Sequence, residues 1–500
     1  MSAHRFFAIV LALLMGIQLF GCGGGSTESS DSTNDMAGVT ITESGNSTDV
    51  TEGGVTDDYT VVLDTQPTTD VTISITPGGQ ITVNPLMLTF TTATWGVPQT
   101  VTVTALDDAS VEGAHTSTIT HTAASGDSNY GPGLVVSDVT ANITDNDTAC
   151  IPSGDQQDIN DALTQPGSVA VLCQGAVFDL SGSVVFTRDG QKIYTEGFPT
   201  DGRRAVLRVA DPSVVSAVVM IDRSNVELSN VVVDGNRPSY GNVTGDALIL
   251  AGGSASGQVI REIKAFEPRS WSILHLFEGP PPRCSGALVE DNELGPAGQQ
   301  DGTWADGISM ACTNSIIRNN TITDATDGGI VIFGAPGSVI EDNVIRASTR
   351  VLLGGINMVD FGPYDGDYTN TRVRRNVIDA AGAVIRIGLG MGHRVWLCLD
   401  PVNPNPPDPT LFGAVVTGNT LRGNFMQYGF AVDGVRDWTV TGNVDLANHS
   451  GTPTTECNGQ VASPPAGFQF NSARAQGTFQ TEFTEAFLEL ALWAIDEPRP

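Results

Sequence analysis

Basic residues are scarce in this 500-residue chain: 24 Lys+Arg stand against 56 Asp+Glu, a formal charge of −32. Nucleic acid is excluded as a partner, because neutralising phosphates takes clustered Lys and Arg. After Arg5 no Lys or Arg appears until Arg188, and residues 38–147 hold fourteen Asp and Glu without one basic side chain. Lys192 and Lys264 are the only lysines. Aromatics make up only 6%, which disfavours helical bundles, whereas 57 Gly and many Thr and Val favour strands and turns. No Cys-x-x-Cys or Cys/His cluster occurs, which argues against zinc. The longest apolar run, Phe6 to Phe20, is too short to span a membrane comfortably. The length itself suggests two to four domains and a large core.

What is present begins with an export signal over residues 1–21: Arg5, the apolar run, then Gly21-Cys22. Leu19-Phe20-Gly21-Cys22 resembles the lipobox of bacterial lipoproteins, which implies a diacylated Cys22 and a membrane anchor. Residues 22–37 read as a flexible tether. No Asp follows Cys22, and by the rule for such lipoproteins the expected address is the outer membrane or cell surface. Six cysteines then remain, an even number suited to disulfides outside the cytoplasm.

From Gly38 to Asp147 the chain alternates Thr with Val or Ile in short runs such as Val71-Thr72-Ile73-Ser74-Ile75, bounded by Gly, Pro and Asp. That grammar predicts an antiparallel β-sandwich. Val50-Thr51-Glu52-Gly53-Gly54, Leu88-Thr89-Phe90 before Trp95, Asp107-Asp108 with Glu112, and Asp145-Asn146-Asp147 resemble the Calx-β family over this whole segment. The resemblance nominates Glu52, Asp107, Asp108, Glu112, Asp145 and Asp147 as Ca²⁺ ligands. An independent argument agrees: carboxylates gathered at strand ends repel unless a cation joins them, and Ca²⁺ takes six to eight hard oxygens. Solvated acidic loops are the competing account.

Residues 148–500 follow different rules. Asp155 to Leu163 reads as a short amphipathic helix. A motif of form apolar-x-x-Asn-x-apolar then recurs around Asn230, Asn292, Asn320, Asn343, Asn376, Asn419 and Asn443. From Asn292 the steps are 28, 23, 33, 43 and 24 residues, as for a repeated coil with variable loops. The expected fold is a right-handed parallel β-helix, whose asparagines stack about 4.8 Å apart into a ladder. Cys284 and Cys312 each lie eight residues before a ladder asparagine, so they should be stacked and bonded. Cys150 with Cys173 is expected by proximity, which leaves Cys398 and Cys457. The repeats resemble the pectin-lyase-like superfamily across residues 148–478. Phe483 to Leu490 reads as a capping helix over the last coil. The fold class is thus all-β, a sandwich followed by a β-helix with capping helices.

A second register, small-apolar-polar-apolar, aligns His275, Ser309, Val331, Asn357, Arg386 and Ala431 in one outward column. Asp306 and Asp327 border it on adjacent coils, one position out of register, with backbones about 6 Å apart. Carboxyl separations of about 5–9.5 Å cover both modes of glycoside hydrolysis. Trp271, Trp304, Tyr428 and Trp438 lie near the same strands and can stack on sugars. Thr303 to Ile308 and Ala325 to Ile330 resemble the Asn-Thr-Asp and Asp-Asp segments of polygalacturonase-like hydrolases, although Trp-Ala replaces Asn-Thr and no Gly-His-Gly is present. Arg386-Ile387-Gly388 partly matches their Arg-Ile-Lys.

The expected role is binding or cleavage of an extracellular polysaccharide by a monomeric surface lipoprotein. Asp306 and Asp327 are the acid/base candidates, with Arg386 and His275 positioning substrate or moving a proton. Hydrolase and lyase both stay open. So does a non-catalytic adhesin or glycan-binding protein with the sandwich as a calcium-stiffened spacer.

Overall fold

The computed structural model describes residues 36–108, 111–147, 149–299, 303–360, 364–396, 410–453, 461–488 and 490. Cys22, Cys398 and Cys457 lie outside them. Two compact units divide at Asn146 and Asp147, with Asp108 and Val111 counted in the second. No helix among the described residues is long and apolar enough to cross a membrane.

The first unit is a sandwich of a four-stranded and a five-stranded sheet. Strict alternation in sequence becomes alternation of burial, clearest along His115–Ser125. The inward positions, among them Tyr59, Val61, Ile73, Phe90, Val103 and Ile119, form a single apolar core. Burying each such side chain is worth about 1.5–3 kcal/mol. All pairings are antiparallel except Thr48–Thr51, which runs parallel to Val139–Thr144.

The second unit is a parallel β-helix. Each coil contributes three short strands, as in Ile316–Arg318, Thr321–Thr323 and Gly328–Phe333, which pair in parallel with Val339–Glu341, Val344–Arg346 and Leu352–Val359 of the next coil. Aliphatic side chains from all three faces fill one continuous interior from Ile159 to Phe483. The first bend requires a left-handed residue, and Asp291, Asn319, Asp342 and Arg375 hold φ of 57°, 56°, 56° and 56° there. The residue after it is the ladder asparagine.

That ladder is continuous. Asn292 Nδ2 donates to Asn320 Oδ1 at 2.8 Å, and Asn320, Asn343, Asn376 and Asn419 each donate to the next at 2.9 Å. Every rung donates its second N–H to a backbone carbonyl, so these buried amides are satisfied. Gln480 Oε1 ends the series on Asn443. Asn230 is not a rung. It occupies the left-handed position itself, with φ of 49°, one residue earlier than its sequence motif implies.

The disulfides Cys150–Cys173 and Cys284–Cys312 both form, each with Cα atoms 4.8 Å apart. The helix Gln156–Ala162 is present, capped by Asp155 and Asp158 in a reciprocal box, and Ile159 closes that end of the core. The C-terminal expectation is corrected. Thr484–Glu485 is a strand paired with Phe468–Phe470, not a helix. The exposed edge of the last coil recruits another strand because its unpaired backbone groups favour one. Ala486, Leu488 and Leu490 then lie on the outer face of the third sheet with Val395, Trp396 and Ala462.

Candidate functional site

The third face of the helix carries the predicted column, and strand pairing decides its members. Leu250, His275, Ser309, Val331 and Asn357 are stacked in register. The next residue is Gly390, followed by Ala431. Arg386 is therefore four residues out of this column, a correction with a simple cause. Ile385–Met391 is a seven-residue strand with apolar residues at every second position, so several frames look equivalent until pairing selects one. Arg386 donates instead to Gln427 Oε1 at 3.3 Å.

The column also divides along its length. Val331 and Ala431 lie under the layer formed by Val395, Trp396, Ala462, Leu488 and Leu490. The coils carrying Asp246, His275, Asp306 and Asp327 instead border a cleft of about 470 Å³.

Asp306 opens the strand Asp306–Met310, and Asp327 immediately precedes Gly328–Phe333. Pairing of Ile308 with Ile330 sets Asp306 opposite Gly328, leaving Asp327 one position out of register. Gly328 matters here: a Cβ would fall 2.2 Å from Val331 Cγ2 and 3.0 Å from Asp306 Oδ1. Asp306 is only 4% exposed. Its Oδ1 accepts from Gly328 N at 2.7 Å and its Oδ2 from Ser309 Oγ at 2.7 Å, and Ser309 Oγ lies 3.0 Å from Ser272 Oγ. Burial, then the neighbouring Asp327 charge, raises the Asp306 pKa well above the carboxylate range.

Asp327 lines the cleft; Asp306 does not. Its Oδ1 is shielded yet has no hydrogen-bond donor among the described residues. Burial raises its pKa to about 7. Two adjacent carboxyls in a dry corner thus share protons near neutrality rather than both ionising.

Trp271 and Trp304 stand on the cleft wall with Asn242, Thr303 and Leu353. Tyr428 and Trp438, in contrast, are fully buried, Tyr428 donating to Ser463 O at 2.9 Å. His275 packs edge-on to Trp271 with ring centroids 4.8 Å apart, and its Nδ1 lies 2.8 Å from Asp246 Oδ1. Asp246 escapes sequence reasoning, although a signal exists. It lies three residues before Ile249, just as Asp327 lies three before Ile330. Asn357 was visible as a column member but not as a buried amide, 1% exposed, with neither polar atom hydrogen-bonded among the described residues.

In the sandwich, Glu52, Glu112 and His115 bring one ligand atom each within 4.8 Å of one another, and Asp145 comes equally close to Glu52. Glu52 is 1% exposed. Asp145 Oδ2 accepts from Gly113 N at 2.5 Å, and Asn146 Nδ2 lies 3.3 Å from Asp107 Oδ1. His115 is an addition to the predicted set. Asp108 and Asp147 group with the second unit.

Residues 283–392 match the family model for the right-handed β-helix region. No curated protein matches the chain. Among solved structures, an alginate lyase from Paenibacillus sp. is similar at 14% identity and TM-score 0.33, covering 59% of this chain and 97% of that one. An endo-xylogalacturonan hydrolase from Aspergillus tubingensis gives 11% identity and TM-score 0.38 over 64% and 100% of the two chains. The tailspike protein of E. coli bacteriophage HK620, in complex with a pentasaccharide, gives 10% identity and TM-score 0.34 over 60% and 63%.

Proposed function

We propose that the β-helix binds an extracellular glycan in the cleft and hydrolyses it by acid/base chemistry centred on Asp327. The observation that carries this reading is a carboxyl raised to about 7, with one undonated oxygen, on the wall that also presents two indoles. Indole faces suit the apolar faces of sugar rings. An acid with pKa near the working pH is the efficient proton donor to a leaving glycosidic oxygen. Asp306, held by Gly328 N and Ser309, keeps its proton beside the Asp327 carboxyl. His275, fixed by Asp246, holds Trp271 from its edge.

One observation favours a second reading, glycan binding without cleavage: only one of the two carboxyls reaches the cleft wall. A polysaccharide panel scored for binding, new reducing ends and unsaturated products separates the accounts. Reducing ends without unsaturation support hydrolysis. Unsaturated products would indicate a lyase, and binding alone would establish the non-catalytic reading.

The rest of the proposal concerns placement. The sandwich serves as a spacer that takes Ca²⁺ through Glu52, Glu112 and Asp145, with Asp107 beside them. The donor set suits the ion: hard oxygens converge on a buried Glu52 in a segment without Lys or Arg. The Calx-β resemblance also nominates Asp108 and Asp147. Cys22 carries the lipid that holds the chain at the cell surface.

A further inference from the structure

We infer that the cleft takes a neutral glycan rather than a polyuronate. This rests on the cleft being a glycan site, and it concerns which sugars that site accepts. Recognition of a uronate carboxylate calls for a guanidinium or ammonium with donors to spare. Arg269 is the one cationic residue on the described cleft wall. It is 3% exposed, and its N–H groups go to backbone carbonyls: Nε to Gly241 O at 3.1 Å, Nη1 to Val214 O at 2.9 Å and Nη2 to Tyr240 O at 3.5 Å. The Tyr240 ring lies 5.6 Å from the same guanidinium. Arg269 therefore spends four of its five N–H groups on the wall itself.

The neighbouring cations are committed too. Arg237, 2% exposed, donates to Thr303 O at 3.1 Å. Arg350 binds Glu267 at 2.6 Å and the carbonyl of Gly298. Residues 300–302, Gln-Asp-Gly, bring no Lys or Arg. Lys192 is paired with Glu227 at 3.5 Å, and Lys264 lies over the Phe266 ring.

The rest of the described lining is neutral or negative: the Asn242 amide, the Thr244 hydroxyl and Asp327, with the indoles of Trp271 and Trp304. A uronate placed there adds a third carboxylate to the Asp306–Asp327 pair, and like charges in a poorly solvated site repel strongly. The field of the whole chain, at −32, also opposes the approach of a polyanion. Hydroxyls and ring faces of an uncharged sugar meet no such penalty.

The test measures binding of the full protein to two groups of probes. Neutral probes are xylan, galactan, mannan and β-glucan oligosaccharides; charged probes are polygalacturonate and alginate oligosaccharides of the same length. Methyl-esterified galacturonan and its saponified form make a matched pair that differs in carboxyl charge. The expected result is a neutral ligand bound at least tenfold more tightly than any uronate, with esterified galacturonan ahead of saponified. Asp327→Asn, checked for an intact melting transition, should narrow that last gap. Preferential binding of a uronate, competed by nothing neutral, overturns the inference while leaving a glycan site in place. Failure of every probe to bind overturns the glycan site itself, and the inference with it.

Discussion

Two clusters of carboxyl groups in this chain face the same electrostatic problem and resolve it differently. At the helix corner, Asp306 and Asp327 are brought together by strand register, and no cation among the described residues pairs with them. Their pKa values rise, so the pair is reconciled by protons. In the sandwich, Glu52, Glu112 and Asp145 converge from separate loops, with His115 4.0 Å from Glu52 and no Lys or Arg in the whole segment. There the proposed reconciliation is a hard cation. Elsewhere the β-helix uses a third solution. Along its outer surface Arg261, Glu290, Arg318, Glu341 and Arg374 stack in one column of alternating sign, with Arg318–Glu290 at 2.6 Å and Arg374–Glu341 at 2.7 Å. Where arginine is available it is used between coils, so the two clusters without arginine are the functional candidates.

The comparison breaks most visibly if the proton account is wrong. Asp327→Asn removes the acid while preserving shape, and should lower hydrolysis of any substrate found by about 10²–10⁴-fold. The readout is kcat/KM on that substrate with the fold verified by melting. Full residual activity refutes the role of Asp327.

Next in size is the cation account. Calcium at about 100 times its Kd should stabilise the sandwich by about 2.7 kcal/mol, visible as a raised melting midpoint that chelator reverses. Glu52→Gln should abolish that increment. An unchanged midpoint with calcium and with chelator would remove the metal from the sandwich and leave solvated acidic loops.

A smaller effect separates the two solutions by pH. Unfolded aspartates titrate near 3.8, whereas Asp327 in the fold titrates at about 7. Between those values the native chain holds protons that the unfolded chain has released, so stability of the helix unit falls as pH rises through that window. Asp306→Asn deletes one member of the pair and should flatten this dependence by about 1–2 kcal/mol. Melting scans from acid to neutral pH read it directly. Sandwich carboxylates that bind calcium should show the opposite trend, because protonation at low pH displaces the metal.

Much of this was legible because some signals in a β-helix are counted along the chain. The ladder from Asn292 to Asn443 and the Cys284–Cys312 bond follow from fixed offsets within one coil, which survive any loop length. The spacing of Asp306 and Asp327 was legible for the same reason. Arg386 was misplaced because its strand repeats every two residues and the true column member, Gly390, has no side chain to announce it. The C-terminal strand and the apolar layer of Trp396, Leu488 and Leu490 were not legible, since which face they cover depends on contacts between distant coils. The same limit hid the pairing of His275 with Asp246, whose 29-residue separation is a property of register alone.

The smallest expected effect tests the comparison from the cationic side. If acids at the corner are reconciled by protons, no arginine should be required there, and the nearest sequence candidate was Arg386. Its guanidinium meets Gln427, it is absent from the cleft wall, and it stands two coils from Asp327 in that residue's column, with Leu353 between them. Arg386→Gln should therefore leave the pH dependence of hydrolysis unchanged and alter kcat/KM by less than about tenfold, below the range of a group in proton transfer. A loss comparable with that of Asp327→Asn would mean that a cation does reach the reacting bond, and the proton-only account of this corner would fall.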